Sequence, residues 1–572
     1  MLAHNPFPAK VLILIALLQG LALLFLHQAI DLDFWPGRHP QWLFGLYSIA
    51  FILPTMLLLG LDNTNATAFL KLTVPFVSVS ALLGYYIGFQ TTPIQHISYS
   101  AVLFSFVFTM CLATFKALMY SQQFSVSREL SYSTLYRWSW RNFLTLALSL
   151  LFTGCFWLIL MLWAALFNAI NIDVFEELFE EPWFYYPALA LANGFGIIIF
   201  RNQTQIIDTI TRLQHALMKF LLVLLVLVSL LFLSALPFSG LAPLWENGGS
   251  SLILGMQAAL LFFINSVYQD SPESRPYPLW MHRFIYVGVL ALPIYSAISF
   301  YGLSLRVEQY GWSMSRCWAF LIWSMLALFS IGYIVGIARR RDAWIESLSR
   351  VNVVVGLVLL ISMLLVNSPL LDFRKIVSQN QVSRLASGQV DIKDFDVYYF
   401  RRYLARPGYE ALQTLMATSG DTHPSLVLRI QALYQDPDKT TTSSLTQAQF
   451  KSAITVLTDE VPESLIETLY EEALDSPWAT GQTQAMYLSA VDANNDDELE
   501  FLWVTQRQSY VSMRLYAYND ATWEARTITS GLDSKAKRIR FIDALKSGQI
   551  SVAQPKWLDL QVGEERLQIK PD

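Results

Sequence analysis

The sequence predicts a mainly α fold: a polytopic transmembrane helical bundle of about eleven spans, N-terminus inside and C-terminus outside, followed by a soluble C-terminal α+β domain. Three observations predict it. Eleven long apolar segments divide residues 1–367, Lys and Arg crowd into every second loop between them, and after residue 420 the composition turns to that of a soluble fold. The bulk numbers agree, with 572 residues, 54% hydrophobic, only 15% charged, 17 Trp and a mean hydropathy of +0.40. At a net charge of −5, with Lys and Arg dispersed over loops, no basic stripe offers itself to nucleic acid. The expected partner is the lipid bilayer.

A helix rises 1.5 Å per residue, so a span takes roughly 20 apolar residues. The segments 11–30, 42–61, 72–89, 101–120, 143–170, 183–200, 221–238, 252–268, 284–305, 319–337 and 351–367 qualify. The first follows a single Lys10, and no small-residue cleavage site precedes Asp31-Leu32-Asp33, so it reads as a retained helix. The sixth is the weakest by composition: Trp183, Tyr185 and Tyr186 open it and Asn193-Gly194 interrupt it. Charge arbitrates. With eleven spans, Lys71, Arg137, Arg141, Arg201, Lys219, Arg283 and Arg339 to Arg341 fall inside with most other cations, and only Arg38, Arg306 and Arg316 fall outside. The positive-inside rule then holds on both sides of the sixth span and places the C-terminal region outside.

Outer loops are acidic, with Asp31 and Asp33 in the first and Asp173, Glu176, Glu177, Glu180 and Glu181 in the third. The third reads as a solvated loop helix whose Phe175, Leu178 and Phe179 meet the membrane surface. Two inner loops, 121–142 and 201–220, have helical apolar spacing and read as helices in the inner head-group layer. Within the spans, Lys116 is the clear charge, close enough to an end to snorkel. Asn193, Gln257 and Asn265 form the candidate intramembrane polar site, with interhelical hydrogen bonding as the plain alternative. The three cysteines, Cys111, Cys155 and Cys317, lie in or beside apolar segments and supply no disulfide framework or thiolate metal site to the polar region.

A set of motifs carries a family resemblance. Leu236-Pro237-Phe238-Ser239-Gly240-Leu241-Ala242-Pro243-Leu244-Trp245 is followed by Asn265-Ser266-Val267-Tyr268-Gln269-Asp270, Tyr277-Pro278, Tyr301-Gly302-Leu303 and Gln309-Tyr310-Gly311-Trp312. The pattern closes with the segment from Ser378 to Gly388, Phe395-Asp396 and Gly408-Tyr409-Glu410-Ala411-Leu412. Together these resemble the domain of unknown function 4153 family of bacterial multi-pass inner-membrane proteins, over residues 200–415 by motif and over the earlier spans by hydropathy. The resemblance implies a bacterial cell inner-membrane location and no activity. One departure stands out: Ala405-Arg406-Pro407-Gly408 replaces an expected Gly-rich turn.

Residues 368–420 read as a helical neck, with a short helix at 379–387 stopped by Gly388 and another starting at Asp394 or Asp396 and running to Leu404. Residues 421–572 read as a periplasmic α+β domain able to fold alone. Capping boxes Thr446 to Gln449 and Ser464 to Glu467 announce helices carrying Phe450, Ile454 and Val456, and Leu465, Ile466, Leu469 and Leu474. Segments 499–504, 511–518 and 522–529 read as strands, the last two joined at Asn519-Asp520, and 534–547 as a helix apolar at Ile539, Ile542 and Leu545 that packs on the sheet.

One motif carries chemistry. In Asp492-Ala493-Asn494-Asn495-Asp496-Asp497-Glu498-Leu499-Glu500, residues Asp492, Asn494, Asp496 and Glu500 occupy the first, third, fifth and ninth places of a calcium loop. Asp497 replaces the turn glycine and Trp503 the closing Glu, so a hairpin turn with solvated carboxylates and no cofactor is the favoured reading. No phosphate loop, Ser-His-Asp set or His-Glu-x-x-His motif is present. The sequence therefore assigns no catalytic residue. Three functions stay open: an envelope scaffold or sensor with a periplasmic protein partner, a transporter or lipid-handling protein, and an enzyme resembling lipid-linked glycosyltransferases with Asp31 or Asp33 as base. Oligomeric state is not readable.

Overall fold

The computed structural model describes residues 7–97, 99–241, 249–268, 276–341, 344–419, 423–434, 447–458, 460–475, 483–494, 496–507, 510–519, 522–528, 532, 534–552, 560–562 and 565–567. Several residues used above lie outside them: 242–245, Gln269, Asp270, Thr446, Asn495 and Asp520. The chain forms two compact units, residues 1–381 with 405–407, and residues 382–404 with 408–572.

The first unit is helical. Its elements are α1 (Ala9–Asp31), α2 (Pro40–Gly60), α3 (Ala66–Phe89), α4 (Ser100–Val126), α5 (Tyr132–Asn168), the short α6 (Val174–Glu180), α7 (Pro182–Asn202) and α8 (Thr204–Ser239). They continue with α9 (Ser250–Val267), α10 (Leu279–Leu290), α11 (Leu292–Tyr310), α12 (Met314–Arg340), α13 (Ile345–Val366) and α14 (Phe373–Ala386), which belongs to this unit through Gln381. Among the described residues ten helices are long and apolar enough to cross a membrane, α10 and α11 counting as one. The apolar run of α9 is shorter, so the eleven expected spans are ten full-length candidates and one short helix. On α5, Leu150, Leu151, Leu158, Ile159 and Leu166 stand exposed along its length. Such a stripe would aggregate in water and is solvated in lipid.

The doubtful sixth span is a continuous helix, α7, because its interruption is a packing device. A Cβ on Gly194 would come within 2.4 Å of the Ala16 Cβ, and one on Gly20 within 2.7 Å of the Pro187 Cα. Small residues let α1 and α7 approach closely, as membrane helices do where packing drives association. The two inner-loop helices are corrected. Residues 204–220 continue into the span as the 36-residue α8, and 121–142 is divided between the end of α4 and the start of the 37-residue α5. Nothing at residue 220 breaks the helix, so hydrogen bonding propagates through the polarity change. In α6, Phe175 and Phe179 pack on Trp163, and Phe179 also on Phe184.

The second unit holds α15 (Val397–Tyr403), most of α16 (Ala405–Ser419), α17 (Pro424–Tyr434), α18 (Gln447–Ala453), β1 (Ile454–Val456), α19 (Glu463–Asp475), β2 (Thr483–Val491), β3 (Glu500–Arg507), β4 (Val511–Asn519), β5 (Thr522–Ile528), α20 (Lys535–Lys546) and the hairpin β6 (Leu560–Val562) with β7 (Glu565–Leu567). The strands run in order β1 to β5, with β1 parallel to β2 and the rest antiparallel. Alternation along β2 sorts two cores. Met486 and Leu488 pack with Phe501, Tyr516, Phe450, Leu465, Ile466 and Leu469 on one face, while Tyr487 packs with Val504, Val511, Met513, Ile542 and Leu545 on the other.

Three expectations are corrected here. Ile454 and Val456 lie in strand β1 instead of a helix, as β-branched residues beside a parallel neighbour favour. Ile539 is half exposed, so α20 meets the sheet through Ile542 and Leu545. Helix α19 begins at Glu463, one residue ahead of the expected cap, and the Ser464 Oγ accepts from Trp523 Nε1. Of the two starts offered for α15, Asp396 is the cap: its Oδ1 accepts from Tyr399 N at 2.9 Å. Ser534 caps α20 through Lys537 N, and Gly388 and Gly548 hold φ of 72° beyond their helices.

Candidate functional site

The three intramembrane amides do not converge. Asn193, on α7, accepts from Ser149 Oγ on α5 at 3.1 Å. Gln257, on α9, donates through Nε2 to Ser296 Oγ at 2.5 Å and to Ser330 Oγ at 2.9 Å, joining α9 to α11 and α12. Two turns further along α9, Asn265 Oδ1 accepts from Asn352 Nδ2 at 2.8 Å and from the Tyr333 hydroxyl, which also reaches Asn352 Oδ1. Tyr132 of α5 donates to the Asn265 carbonyl at 2.9 Å. Each amide thus bonds to helices beside its own, Gln257 through Nε2 alone, its Oε1 being buried without a donor. Apolar surroundings make an unpaired amide expensive, so these contacts hold specific helix pairs together.

The acidic loop joins β2 to β3, and its oxygens accept from its own backbone. Asp492 Oδ1 and Oδ2 accept from Asp496 N and Asp497 N, Asn494 Oδ1 from Asp496 N, and Asp496 Oδ1 from Glu498 N. Glu500 is buried and accepts from Ala493 N at 2.7 Å. Asp497 takes φ of 68°, the left-handed turn conformation that calcium loops give to glycine. Among the described residues no group of three or more His, Cys, Asp or Glu is placed to hold a metal ion. Asp31 pairs with His27 at 3.0 Å and Asp33 with Arg38 at 2.7 Å.

The densest polar site escaped the sequence reading. It is a cleft of about 80 Å³ built from α2, α4, α5, α7 and the loop between α2 and α3, on the side that the charge rule makes Arg-rich, and its lining includes Asp62, Asn65, Gln122, Arg141, Asn142 and Arg201. Helix α2 ends at Gly60, leaving terminal carbonyls without intrahelical donors. The buried Arg201 guanidinium fills that need, donating to Leu58 O at 2.9 Å and to Leu61 O. Arg141 in turn donates to Arg201 O at 3.0 Å and lies over the Trp138 ring at 5.4 Å. Behind them Gln122 and Asn142 exchange amide hydrogen bonds of 3.1 and 2.6 Å, and Gln122 Nε2 also reaches Leu59 O at 3.2 Å. Asn65 Nδ2 donates to Ser125 Oγ at 2.9 Å, and its Oδ1 is sealed from water with no hydrogen-bond donor. The available signal was the company of Gln122, Asn142 and Thr145 at the ends of apolar runs.

Elsewhere in the first unit, Asp372 and Arg374 form a buried bidentate pair at 2.7 and 2.8 Å, and Tyr86 donates to Asp372 at 2.8 Å. In the second unit, buried Arg429 of α17 donates to Ile392 O at 2.9 Å and to Phe395 O. Burial pulls its guanidinium down to about 10, against the attraction of Asp396 and Asp394.

These features define a multi-pass membrane protein with a C-terminal mixed-sheet domain. The family described as Domain of unknown function (DUF4153) matches residues 12–415, and the chain belongs to that family. The match extends the resemblance from residue 200 back through the earlier spans. No curated protein and no solved structure matches the chain. The departure at residue 405 has a physical counterpart, because Ala405 holds φ of 47°, where a glycine would sit without strain.

Proposed function

We propose that the protein is a scaffold or sensor of a bacterial inner membrane, with its C-terminal domain in the periplasm and a protein partner bound there. One observation carries this reading. Asn193, Gln257 and Asn265 are each tied into separate interhelical hydrogen bonds instead of lining one path, as a packed platform requires and a conduit does not. The sheet supplies a binding edge. Strand β5 pairs with β4, has no second strand partner among the described residues, and is exposed along nearly its whole length. Unpaired strand edges recruit extended segments of other chains.

Two measurements test it. A reporter active only outside the cytoplasm should be active when fused after residue 420 and silent when fused near Arg341, following the Lys and Arg asymmetry. A photocrosslinking side chain at Glu524 or Arg526 should yield one discrete protein adduct in intact cells, and the same group at Leu158, on the exposed apolar face of α5, should not yield that adduct. Inverted reporter signals remove the placement, and identical adducts from both positions remove the partner.

A further inference from the structure

We propose that the cleft at the Arg-rich end of the bundle binds a head group carrying a phosphate and a protonated primary amine side by side, as an ethanolamine phospholipid does. The cleft holds matched functions. Arg141 spends one donor on Arg201 O and keeps the rest of its guanidinium fork, the geometry that pairs with phosphate oxygens. Arg201 is committed to the α2 carbonyls and adds positive charge to the wall.

The lining carries both signs of charge, which decides against a purely anionic ligand. Asp62 lines the cleft and accepts from Thr64 N and Oγ1 at 3.3 Å each. A ligand that adds only negative charge would meet that carboxylate. What the cleft needs beside Arg141 is therefore a cationic donor for Asp62. A primary ammonium has three N–H groups to give it, whereas a trimethylated amine has none.

The volume of about 80 Å³ suits a head group and not acyl chains, and the cleft is framed by four membrane helices and the loop between α2 and α3, where the head-group layer begins. Soluble phosphoethanolamine presents the same chemistry. Full-length protein in detergent, equilibrated with mixed micelles of phosphatidylethanolamine, phosphatidylcholine and phosphatidylglycerol, is read by native mass spectrometry. Phosphatidylethanolamine should be retained about tenfold over the other two, the worth of one hydrogen bond to a charged group. Asp62→Asn should shift retention toward phosphatidylglycerol, a change of preference that simple misfolding does not produce. Arg141→Gln should lose retention of all three, and if it does not fold, Arg141→Lys should weaken retention of all three while keeping the ethanolamine preference. Millimolar phosphoethanolamine that displaces the lipid assigns a soluble source, and lipid retained in its presence assigns the bilayer. Equal retention of the three lipids, or a preference untouched by Asp62→Asn, overturns the proposal.

Discussion

The polar clusters inside the bundle and the acidic loop of the sheet unit satisfy their side chains in opposite ways. In the bundle, side chains bond to other side chains across helices, as Asn265 does with Asn352 and Tyr333, Gln257 with Ser296 and Ser330, and Gln122 with Asn142. In the second unit the acidic loop and Arg429 serve the backbone: Asp492, Asn494, Asp496 and Glu500 accept from loop amides, and Arg429 donates to carbonyls. The cause is what the backbone leaves open. A long helix in an apolar medium closes its own hydrogen bonds, so embedded polar side chains have one another as partners. Short elements joined by turns leave amides and carbonyls to be met. Arg201 obeys the same rule where the backbone of α2 opens at its C-terminus.

The comparison breaks first on apolar packing. Leu488 is fully buried between β2 and its covering helices, while Leu158 on α5 is 68% exposed. Leu488→Ala should destabilise the sheet unit by about 3–5 kcal/mol, cavity included. Leu158→Ala should change the bundle by less than about 1 kcal/mol, because in lipid the leucine loses no burial. Hydrogen exchange on the full chain reads both, and equal losses would mean that α5 is packed against protein instead of lipid.

The next effect concerns where the sheet unit begins. Arg429 donates to carbonyls of Ile392 and Phe395, so residues before 421 complete its surroundings. A fragment of residues 382–572 should exceed one of residues 421–572 by about 3 kcal/mol, the worth of hydrogen bonds to a charged group. Chemical denaturation of both fragments checks it, and equal midpoints would show that the neck adds nothing.

Within the bundle, Asn352→Leu should cost about 1 kcal/mol, the scale of interhelical hydrogen bonds in membranes. Tyr333→Phe in the same background should then add less than it does alone, because both belong to one network. Full additivity in detergent unfolding would separate the two residues energetically.

How much of this was legible follows from the same contrast. Apolar length announced the long bundle helices, and caps at Asp396, Ser534, Gly388 and Gly548 announced helix ends, because each of these signals is local. Strand β2 went unread: Thr483 to Val491 mixes Gln, Met, Ser and Ala, and only pairing with β3 and β1 makes it a strand. The same limit hid the cleft. Gln122, Asn142, Arg141 and Arg201 sit up to 79 residues apart by numbering, and Arg141 and Arg201 carried meaning in the sequence only as loop charges. Conversely the acidic loop looked like chemistry because its spacing is local, and the structure spends that spacing on backbone amides.

The smallest effect tests that last reading. Asp492→Ala frees the amides of Asp496 and Asp497, which water can reach, so the loss should be near the lower end of the range for a capping carboxylate, about 0.5 kcal/mol. Calcium bound to the folded loop would instead stabilise it by about 2.7 kcal/mol once free ion exceeds its dissociation constant a hundredfold. Sites of the extracellular type bind at about 0.1–1 mM, so the titration must reach tens of millimolar, with magnesium beside it. Because the loop oxygens already accept from backbone N–H groups, and Glu500 is turned onto Ala493 N, the two cations should raise the melting temperature of the sheet fragment equally by screening the acidic run. A rise specific to calcium, abolished by Asp492→Ala together with Asp496→Ala, would instead make the loop a metal site and place the sheet unit's polar groups in the service of a ligand.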